Sequence, residues 1–333
     1  MMQQIKQWVK QNAFYLVILA LALNVPFFIE NRYFFQVINM SCLFAIGALS
    51  LNLILGYTGQ ASLAHGGFFA IGAYSTAILT TRLEWSFWLA LPAASLIAAF
   101  IGMLVGALAL RTRGAYFAIV TLCLGEIIHL VAGNWIELTG GHNGIMDIAL
   151  PDAIPLPFIG EITFRTLISQ YYLVLAFLLL TLLVMHRLVK SLKGLTFMSI
   201  RSNEQLAQSL GIDCFRTKLL AFCIANFFAG MAGGIYASLI GSITPSVASI
   251  KITFDILLYV LLGGVATLAG PIIGAFAMPV LAEFLQFLQD YQMMIYGFLL
   301  ILVTIFFPLG LMGAVKKFRQ MLPKLKMGGY RAA

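Results

Sequence analysis

The chain has 333 residues, of which 61% are hydrophobic and only 10% are charged. Soluble domains are about 45–50% apolar and about 25% charged, so this composition excludes a soluble enzyme, a disordered tail and a fibrous repeat. It predicts a polytopic membrane protein. The net charge of +8 comes from basic residues clustered between apolar segments, which indicates membrane topology rather than nucleic-acid binding. The four cysteines form no Cys-x-x-Cys pair, which disfavours disulfide or zinc chemistry.

Apolar segments long enough to span a bilayer recur along the chain. A spanning helix needs about 20 mostly apolar residues, and the first such segment is expected to be retained rather than cleaved as a signal peptide. Two polar or glycine-rich stretches, 56–65 and 263–274, are expected to be re-entrant or broken helices buried in protein. The predicted spans are 13–30, 37–55, 66–81, 86–110, 115–132, 170–189, 219–240, 254–270, 271–289 and 291–314.

Positive charge separates cleanly between the two sides of this arrangement. With both termini in the cytoplasm, 16 of the 20 Lys and Arg residues fall inside and 4 fall outside, as the positive-inside rule requires. An eight-span version, in which 254–289 form a hairpin that does not cross, gives the same sidedness. The sequence therefore predicts an all-α transmembrane helical bundle, a single domain over 1–333. It has an outer loop at 133–169, an inner loop at 190–218 and a basic cytoplasmic tail at 315–333.

The first candidate site is the polar, glycine-rich break after the second predicted span. Glycine permits the close approach and unusual dihedral angles that such a break needs. The break either lines a solute path or closes a gate, or it is a plain cytoplasmic turn. Its candidate path residues are Gly56, Gly59, Gln60, Ser62 and His65.

The fifth predicted span carries two ionisable residues on one helix face, Glu126 and His129. Ionisable groups inside a span usually face the bundle interior or water, so Glu126 is a candidate pathway residue. The alternative places His129 near the outer interface and pairs Glu126 with a neighbouring helix. Later in the chain, Gly263 and Gly264 form a candidate hinge on the same pathway.

The outer loop contains a glycine-rich motif that favours tight turns. The motif either orders the outer mouth or is simply a turn. Its candidate residues are Thr139, Gly140, Gly141 and Asn143.

The inner loop contains a short amphipathic helix. Ser202 is predicted to cap it, with Gln205 completing a capping box, and Gly211 is placed to end it. Leu206 and Leu210 lie four apart on one face, which needs a surface to bury it. That surface is either a groove on a partner or the chain's own bundle and the lipid interface.

Nucleotide and catalytic motifs are missing from the sequence. There is no G-x-x-x-x-G-K-[ST] phosphate loop, no G-x-G-x-x-G and no H-E-x-x-H, and no nucleophile–base constellation is evident. If the protein drives active transport, another chain binds the nucleotide.

An ion-coupled secondary transporter that uses Glu126, His129 and Glu283 is a rival function, and the sparse charges within the spans disfavour it. A membrane-embedded enzyme is a third option.

Several stretches together carry a family resemblance: Gly56–Tyr74, Gly114–Leu122, Asn134–Gly141, Ile200–Ile212, Lys218–Phe222 and Gly263–Ala275. They resemble the membrane permease subunits of bacterial branched-chain amino acid ABC importers, over residues 35–315. Urea and short-chain amide importers share nearly the same motifs, so they are the alternative substrate class.

The resemblance implies a permease in the bacterial inner membrane that works by alternating access. It implies four kinds of partner: a second permease, two cytoplasmic ATP-binding subunits, a periplasmic solute-binding protein and membrane lipid. ATP and Mg would bind the ATPases, leaving this chain without a cofactor or a metal of its own. It also implies that the inner helix docks on an ATPase, although Gln205 and Leu206 stand where the family often has small residues. The coupling residues are Arg201, Asn203, Glu204, Leu206, Ala207, Leu210 and Gly211.

Overall fold

The computed structural model of the chain describes residues 23–26, 31–156, 160–284, 294–295, 297–298, 301–302 and 310–313. Most of the predicted spans 13–30 and 291–314 lies outside these residues, as do the tail 315–333 and the Glu283 side chain. Within them the apolar segments are helical, as predicted. The described α-helices of six or more residues are α1 Arg32–Asn52, α2 His65–Thr81, α3 Phe87–Ala109, α4 Ala115–Asn134, α5 Leu167–Lys190, α6 Leu192–Ser202, α7 Glu204–Ser209, α8 Cys214–Ile240, α9 Ile250–Gly263 and α10 Gly270–Phe284.

Five helices in the described part of the chain are long and apolar enough to cross a membrane: α1 with the turn that follows it, α3, α4, α5 and α8. The chain is therefore a multi-pass membrane protein. In the outer loop, β1 (Ile154–Leu156) and β2 (Gly160–Ile162) pair antiparallel, with Pro155 opposite Glu161. This hairpin is the only β-sheet in the described residues.

Helix α8 is the centre of the bundle and packs closely against α2 and α3. The contact depends on glycine, because a Cβ on Gly72 of α2 would overlap the backbone of Gly230 on α8. On α3, a Cβ on Gly102 would overlap the side chain of Asn226. Small residues that let helix backbones approach closely are typical of membrane helix packing. These glycines therefore let α8 lie close to α2 and α3.

The first predicted break lies between α1 and α2. Helix α1 ends in a π-helical turn, Leu53–Tyr57, and residues 58–64 are not helical. The Leu63 amide donates to Thr121 Oγ1 on α4 at 3.0 Å, and a Cβ on Gly125 would lie 3.3 Å from Ala64 Cα. Helix α2 therefore begins halfway along α4 rather than at its end.

A second helix, α9, begins at the same level. The Gly66 amide, in the first turn of α2, donates to Thr253 Oγ1 in the first turn of α9 at 2.9 Å. Helix α9 has 14 residues and is about 21 Å long, shorter than the hydrocarbon core of a bilayer at about 30 Å.

The second predicted break follows α9, at residues 264–269. Gly264 has φ +126° and Ala266 has φ +60°, dihedrals that end a right-handed helix. The predicted span 254–270 is therefore wrong at its end, and the expected broken helix at 263–274 is the arrangement found.

One side chain joins the two breaks. Asn52, at the end of α1, is 1% exposed. Its Oδ1 accepts from the Ala266 amide at 2.9 Å, and its Nδ2 donates to the Thr267 carbonyl at 2.7 Å. Asn52 thus satisfies one donor and one acceptor of a backbone segment that has left helical geometry.

The close approach of α2 and α8 makes a stability prediction with a matched control. Gly72→Ala adds a methyl group where the facing atoms are backbone, so we expect the free energy of unfolding to fall by about 1–3 kcal/mol or more. Gly47→Ala on α1 places its Cβ at 3.5 Å from Ile256 Cδ1, which is an ordinary contact. We therefore expect its free energy of unfolding to change by no more than about 1 kcal/mol. Thermal unfolding of the purified protein, followed by tryptophan fluorescence, measures both. Equal midpoints for the two variants would contradict this packing.

Candidate functional site

The inner loop folds as two helices, α6 and α7, that precede α8. Asn203 is the N-cap of α7, and its Oδ1 accepts from the Leu206 amide at 3.0 Å. The prediction that Ser202 caps this helix is wrong, because Ser202 is the last residue of α6 and its hydroxyl donates to the Met198 carbonyl. An extended Asn203 between the two helices serves as the cap instead.

The predicted end of α7 is confirmed. Gly211 follows the C-cap Leu210 with φ +84°, the left-handed conformation that glycine adopts without steric cost. Ala207 is buried with Ile200 and Cys214, so one side of α7 packs on its own loop.

The other side of α7 is apolar and uncovered in the described structure. The exposed fractions are 58% for Leu206 and 73% for Leu210. Two exposed leucines one turn apart form a small apolar surface on a helix that is otherwise polar. We call Leu206 and Leu210 the α7 apolar face.

Glu204 holds α7 against α8 through an ion pair. Its Oε2 lies 2.7 Å from Lys218 Nζ, with the two side chains 27% and 7% exposed. Removing one partner of so buried a pair leaves the other charge uncompensated. Glu204 is thus engaged within the chain, where it fixes the position of α7.

Arg201 links the inner loop to the first helix break. Its guanidinium donates to the Gly56 carbonyl in the π-helical turn after α1. Gly59, with φ +75°, approaches the same side chain, since a Cβ there would lie 3.0 Å from Arg201 Cγ. The inner loop and the break are therefore in direct contact across 145 residues of sequence.

A crevice of about 430 Å³ opens where these parts meet. Its polar groups include Gln60, Arg113 and Glu204. It lies on the side of the bundle where α4 begins and α7 projects. It is lined by residues 58–61, 112–115 and 200–204, with Phe117, Ala118 and Lys218.

Deeper in the break, Ser62 and His65 are fully enclosed, with exposed fractions of 1% and 0%. Ser50 donates its hydroxyl proton to the Gly47 carbonyl at 2.7 Å, so its oxygen accepts from His65 Nε2, also at 2.7 Å. His65 Nδ1 and Ser62 Oγ have no hydrogen-bond partner in the described part of the chain. The predicted path residues therefore divide into Gly59 and Gln60 at the crevice and Ser62 and His65 in the interior.

The predicted hinge, Gly263–Gly264, lies at the second break. A Cβ on Gly263 would overlap the backbone of Gly270, at the start of α10. Gly310 approaches Gly264 closely as well. This hinge lies beside the first break, because the Ala266 amide donates to Asn52 and the backbone of Ala266 approaches Gly56.

The outer half of the molecule contains the remaining predicted residues. Glu126 is half-buried on α4, and His129 Nδ1 lies 2.9 Å from the Pro245 carbonyl oxygen. Thr139 donates to the Ala132 and Trp135 carbonyls at 2.8 and 2.6 Å.

The glycine-rich motif that follows is a turn of positive φ angles at Gly140, Gly141 and Gly144. It leads into an antiparallel bridge between Ile145 and Ile243. The motif therefore folds the outer loop back onto the end of α4, with Asn143 exposed at its tip.

Comparison with known proteins identifies the family. The model of the family described as "Branched-chain amino acid transport system / permease component" matches residues 33–304. The chain belongs to this family. It is 34% identical to the high-affinity branched-chain amino acid transport system permease proteins LivM of Salmonella typhimurium and Escherichia coli, over 96% of this chain and 77% of each relative. The resemblance stated from the motifs is confirmed.

More distant relatives are permeases too. LivH of Salmonella typhimurium, from the same kind of transport system, is 24% identical over 84% of this chain and 94% of its own length. The autoinducer 2 import system permease LsrC of an Enterobacter strain is 30% identical, but over only 58% of this chain. No solved structure matches the chain.

Three residues of this permease's inner half were missed by sequence reasoning. Asn52 and Thr121 lie inside predicted spans and Lys218 lies at the end of the inner loop, and each satisfies a group of a break or of α7. For Asn52 and Thr121 the signal was a polar side chain within a predicted span, which is costly in a membrane unless it is paired.

The Arg201 contact makes a prediction about coupling. Arg201→Met removes the guanidinium from the Gly56 carbonyl but leaves the α7 apolar face intact. We expect assembly with the ATPase to persist and solute uptake per ATP hydrolysed to fall about tenfold, as for loss of one charge-assisted hydrogen bond. Uptake and ATP hydrolysis in proteoliposomes give this ratio.

Arg216→Met is the control. Arg216 is exposed and pairs only with Asp213, three residues earlier on the same helix start, so its loss should leave the ratio unchanged. An unchanged ratio in Arg201→Met would show that the contact with Gly56 carries no coupling.

Proposed function

We propose that this chain is a permease subunit of an ABC importer and forms the translocation pathway for branched-chain amino acids across the inner membrane of a bacterium. The family match over residues 33–304 carries the proposal. The branched-chain substrate is favoured over autoinducer 2, because the likeness to the LivM proteins covers 96% of the chain and that to LsrC covers 58%.

In this proposal the chain does no catalysis of its own. The sequence has no phosphate loop, so two cytoplasmic ATP-binding subunits would bind ATP and Mg. A second permease would complete the pathway, and a periplasmic solute-binding protein would deliver the solute to the outer loop 133–169. In this proposal about ten spans leave both termini in the cytoplasm, and the described residues contain five helices long and apolar enough to be such spans.

Coupling would act through α7. The α7 apolar face needs a groove to cover it, and its position on the basic, inner side favours a cytoplasmic partner. Nucleotide can shift the permease only if the ATPase contacts α7 differently in its two states. Movement of α7 would then pass through Arg201 to Gly56 and through the Glu204–Lys218 pair to α8.

The response of the permease would be alternating access. The two breaks are joined by Asn52 and lie beside the shorter helices α2 and α9. Packed helices tend to shift between discrete arrangements rather than to deform continuously. We propose that a shift at the breaks opens the pathway alternately to the outside and to the inside.

Docking is tested at the α7 apolar face. Leu206→Asp and Leu210→Asp place a charge on the surface that the ATPase would cover, so we expect its affinity to fall about 100-fold, with loss of uptake. Co-purification of the tagged permease with its ATPase measures assembly. Leu192→Asp on α6, at an equally exposed leucine outside this face, is the control, and normal assembly of the α7 variants would refute the docking role.

The energy source is tested at Glu126. If uptake is driven by ATP, Glu126→Gln retains its dependence on ATP even where its rate changes. Uptake by proteoliposomes that contain the whole complex is measured with an uncoupler present and ATP maintained. Uptake that collapses with the uncoupler in the wild type, or becomes dependent on a proton gradient in the variant, would support the secondary transporter instead.

A further inference from the structure

A second cavity lies on the opposite side of the bundle from α7, beside the outer end of α4. Its volume is about 410 Å³, within the range of about 300–1,000 Å³ that small-molecule sites occupy. One wall is α4, and the other is the turn at 244–246 that precedes α9. The side chains that carry polar groups into its lining are His129, Asn134, His142, Thr244 and Ser246.

The cavity is held open by contacts between segments far apart in the sequence. Ile145 and Ile243 exchange two backbone hydrogen bonds of 2.9 Å, which fix the outer loop to the chain that leaves α8. His142 lies over Gly133, where a Cβ would be 3.6 Å from its ring. The His129–Pro245 hydrogen bond of 2.9 Å fixes the opposite wall.

These hydrogen bonds define which atoms are left for a ligand. A carbonyl oxygen only accepts, so His129 Nδ1 carries a proton, and in the neutral ring Nε2 is left as an acceptor. Thr244 Oγ1 and Ser246 Oγ lie 2.7 Å apart, and one proton between them leaves the other hydroxyl proton free to donate. His142 adds a ring N–H, and Leu130 adds an apolar wall.

The chemistry of this lining fits a zwitterion better than an anion. No Lys or Arg is among the described residues that line the cavity, so a ligand with only a negative charge would lack a counter-charge there. A neutral imidazole and hydroxyl oxygens accept from an ammonium group, while hydroxyl and imidazole protons donate to a carboxylate. Glu126, half-buried one turn deeper on α4, extends this polar face toward the first break.

We propose that this cavity is the site where the permease first receives its solute, and that it recognises the zwitterionic head of an apolar α-amino acid. His129 Nε2 accepts from the α-ammonium group. Thr244 donates to Ser246, Ser246 and His142 donate to the α-carboxylate, and the apolar side chain lies against Leu130. The inference rests on the proposed function, since it takes the solute to be an amino acid.

The test is direct binding of L-leucine to the purified, full permease complex without the solute-binding protein. Saturation-transfer NMR detects weak ligands through their methyl groups. His129→Asn keeps a donor for the Pro245 carbonyl but removes Nε2, so it separates support of the turn from contact with the ligand. We expect about a tenfold loss of leucine affinity, as for one hydrogen bond to a charged group, with unchanged thermal unfolding.

A ligand that lacks the ammonium group separates contact with the ligand from a purely structural role of His129. If His129 only supported the turn, its replacement would not change the preference for leucine over this ligand. The wild type should bind 4-methylpentanoate more weakly than leucine, and His129→Asn should abolish that difference. His186→Asn, on α5 and away from the cavity lining, is the control and should bind leucine as the wild type does. Ser246→Ala should weaken leucine and 4-methylpentanoate alike, because both ligands carry the carboxylate.

Two results would overturn the proposal. One is leucine binding by His129→Asn that equals the wild type, with the preference for leucine over 4-methylpentanoate retained. The other is a wild-type complex that takes up leucine with ATP yet shows no leucine binding at this cavity. That result would refute the site but not the proposed function. A complex that takes up no branched-chain amino acid with ATP would instead remove the proposed function.

Discussion

Satisfaction of backbone polar groups at the two helix breaks is the constraint on which the rest of this structure depends. Inside an apolar protein within a membrane, an amide or carbonyl outside helical geometry has no water to bind and must find a partner in the chain. Asn52 supplies an acceptor and a donor to the second break. Thr121 and Thr253 supply acceptors to the Leu63 and Gly66 amides. These few side chains permit α2 and α9 to begin in the middle of the bundle.

The same breaks connect the inner loop to the interior. Arg201 reaches the π-helical turn after α1, and that turn lies beside the second break through Asn52. A motion of the inner loop would therefore act on backbone that has left α-helical geometry. Helix α8, in contrast, is a continuous helix of 27 residues, packed through glycines against α2 and α3. The architecture thus places a long central helix beside segments where the helices are interrupted.

The two ends of the molecule differ in the polar groups that line their cavities. The inner end carries Arg113, Arg201 and Lys218 around its crevice, and two of these side chains are already engaged within the chain. The outer cavity has imidazoles, hydroxyls and an amide, and its lining in the described part of the chain includes no Lys or Arg. An inner end built on fixed charges suits a contact with another protein. An outer end built on neutral donors and acceptors suits a small polar solute that must also be released.

The sequence by itself determined the membrane class, the positions of most helices, both breaks and the short inner helix with its exposed leucines. These are local properties, set by apolar run length, glycine content and spacing along a helix. The tertiary structure decided that Asn203 rather than Ser202 caps α7, because the cap depends on where α6 ends. It also decided the partners of Arg201, Asn52 and His129, which lie 145, 214 and 116 residues away. Contacts over such distances follow from how the helices pack, and the order of residues along one segment does not contain that information.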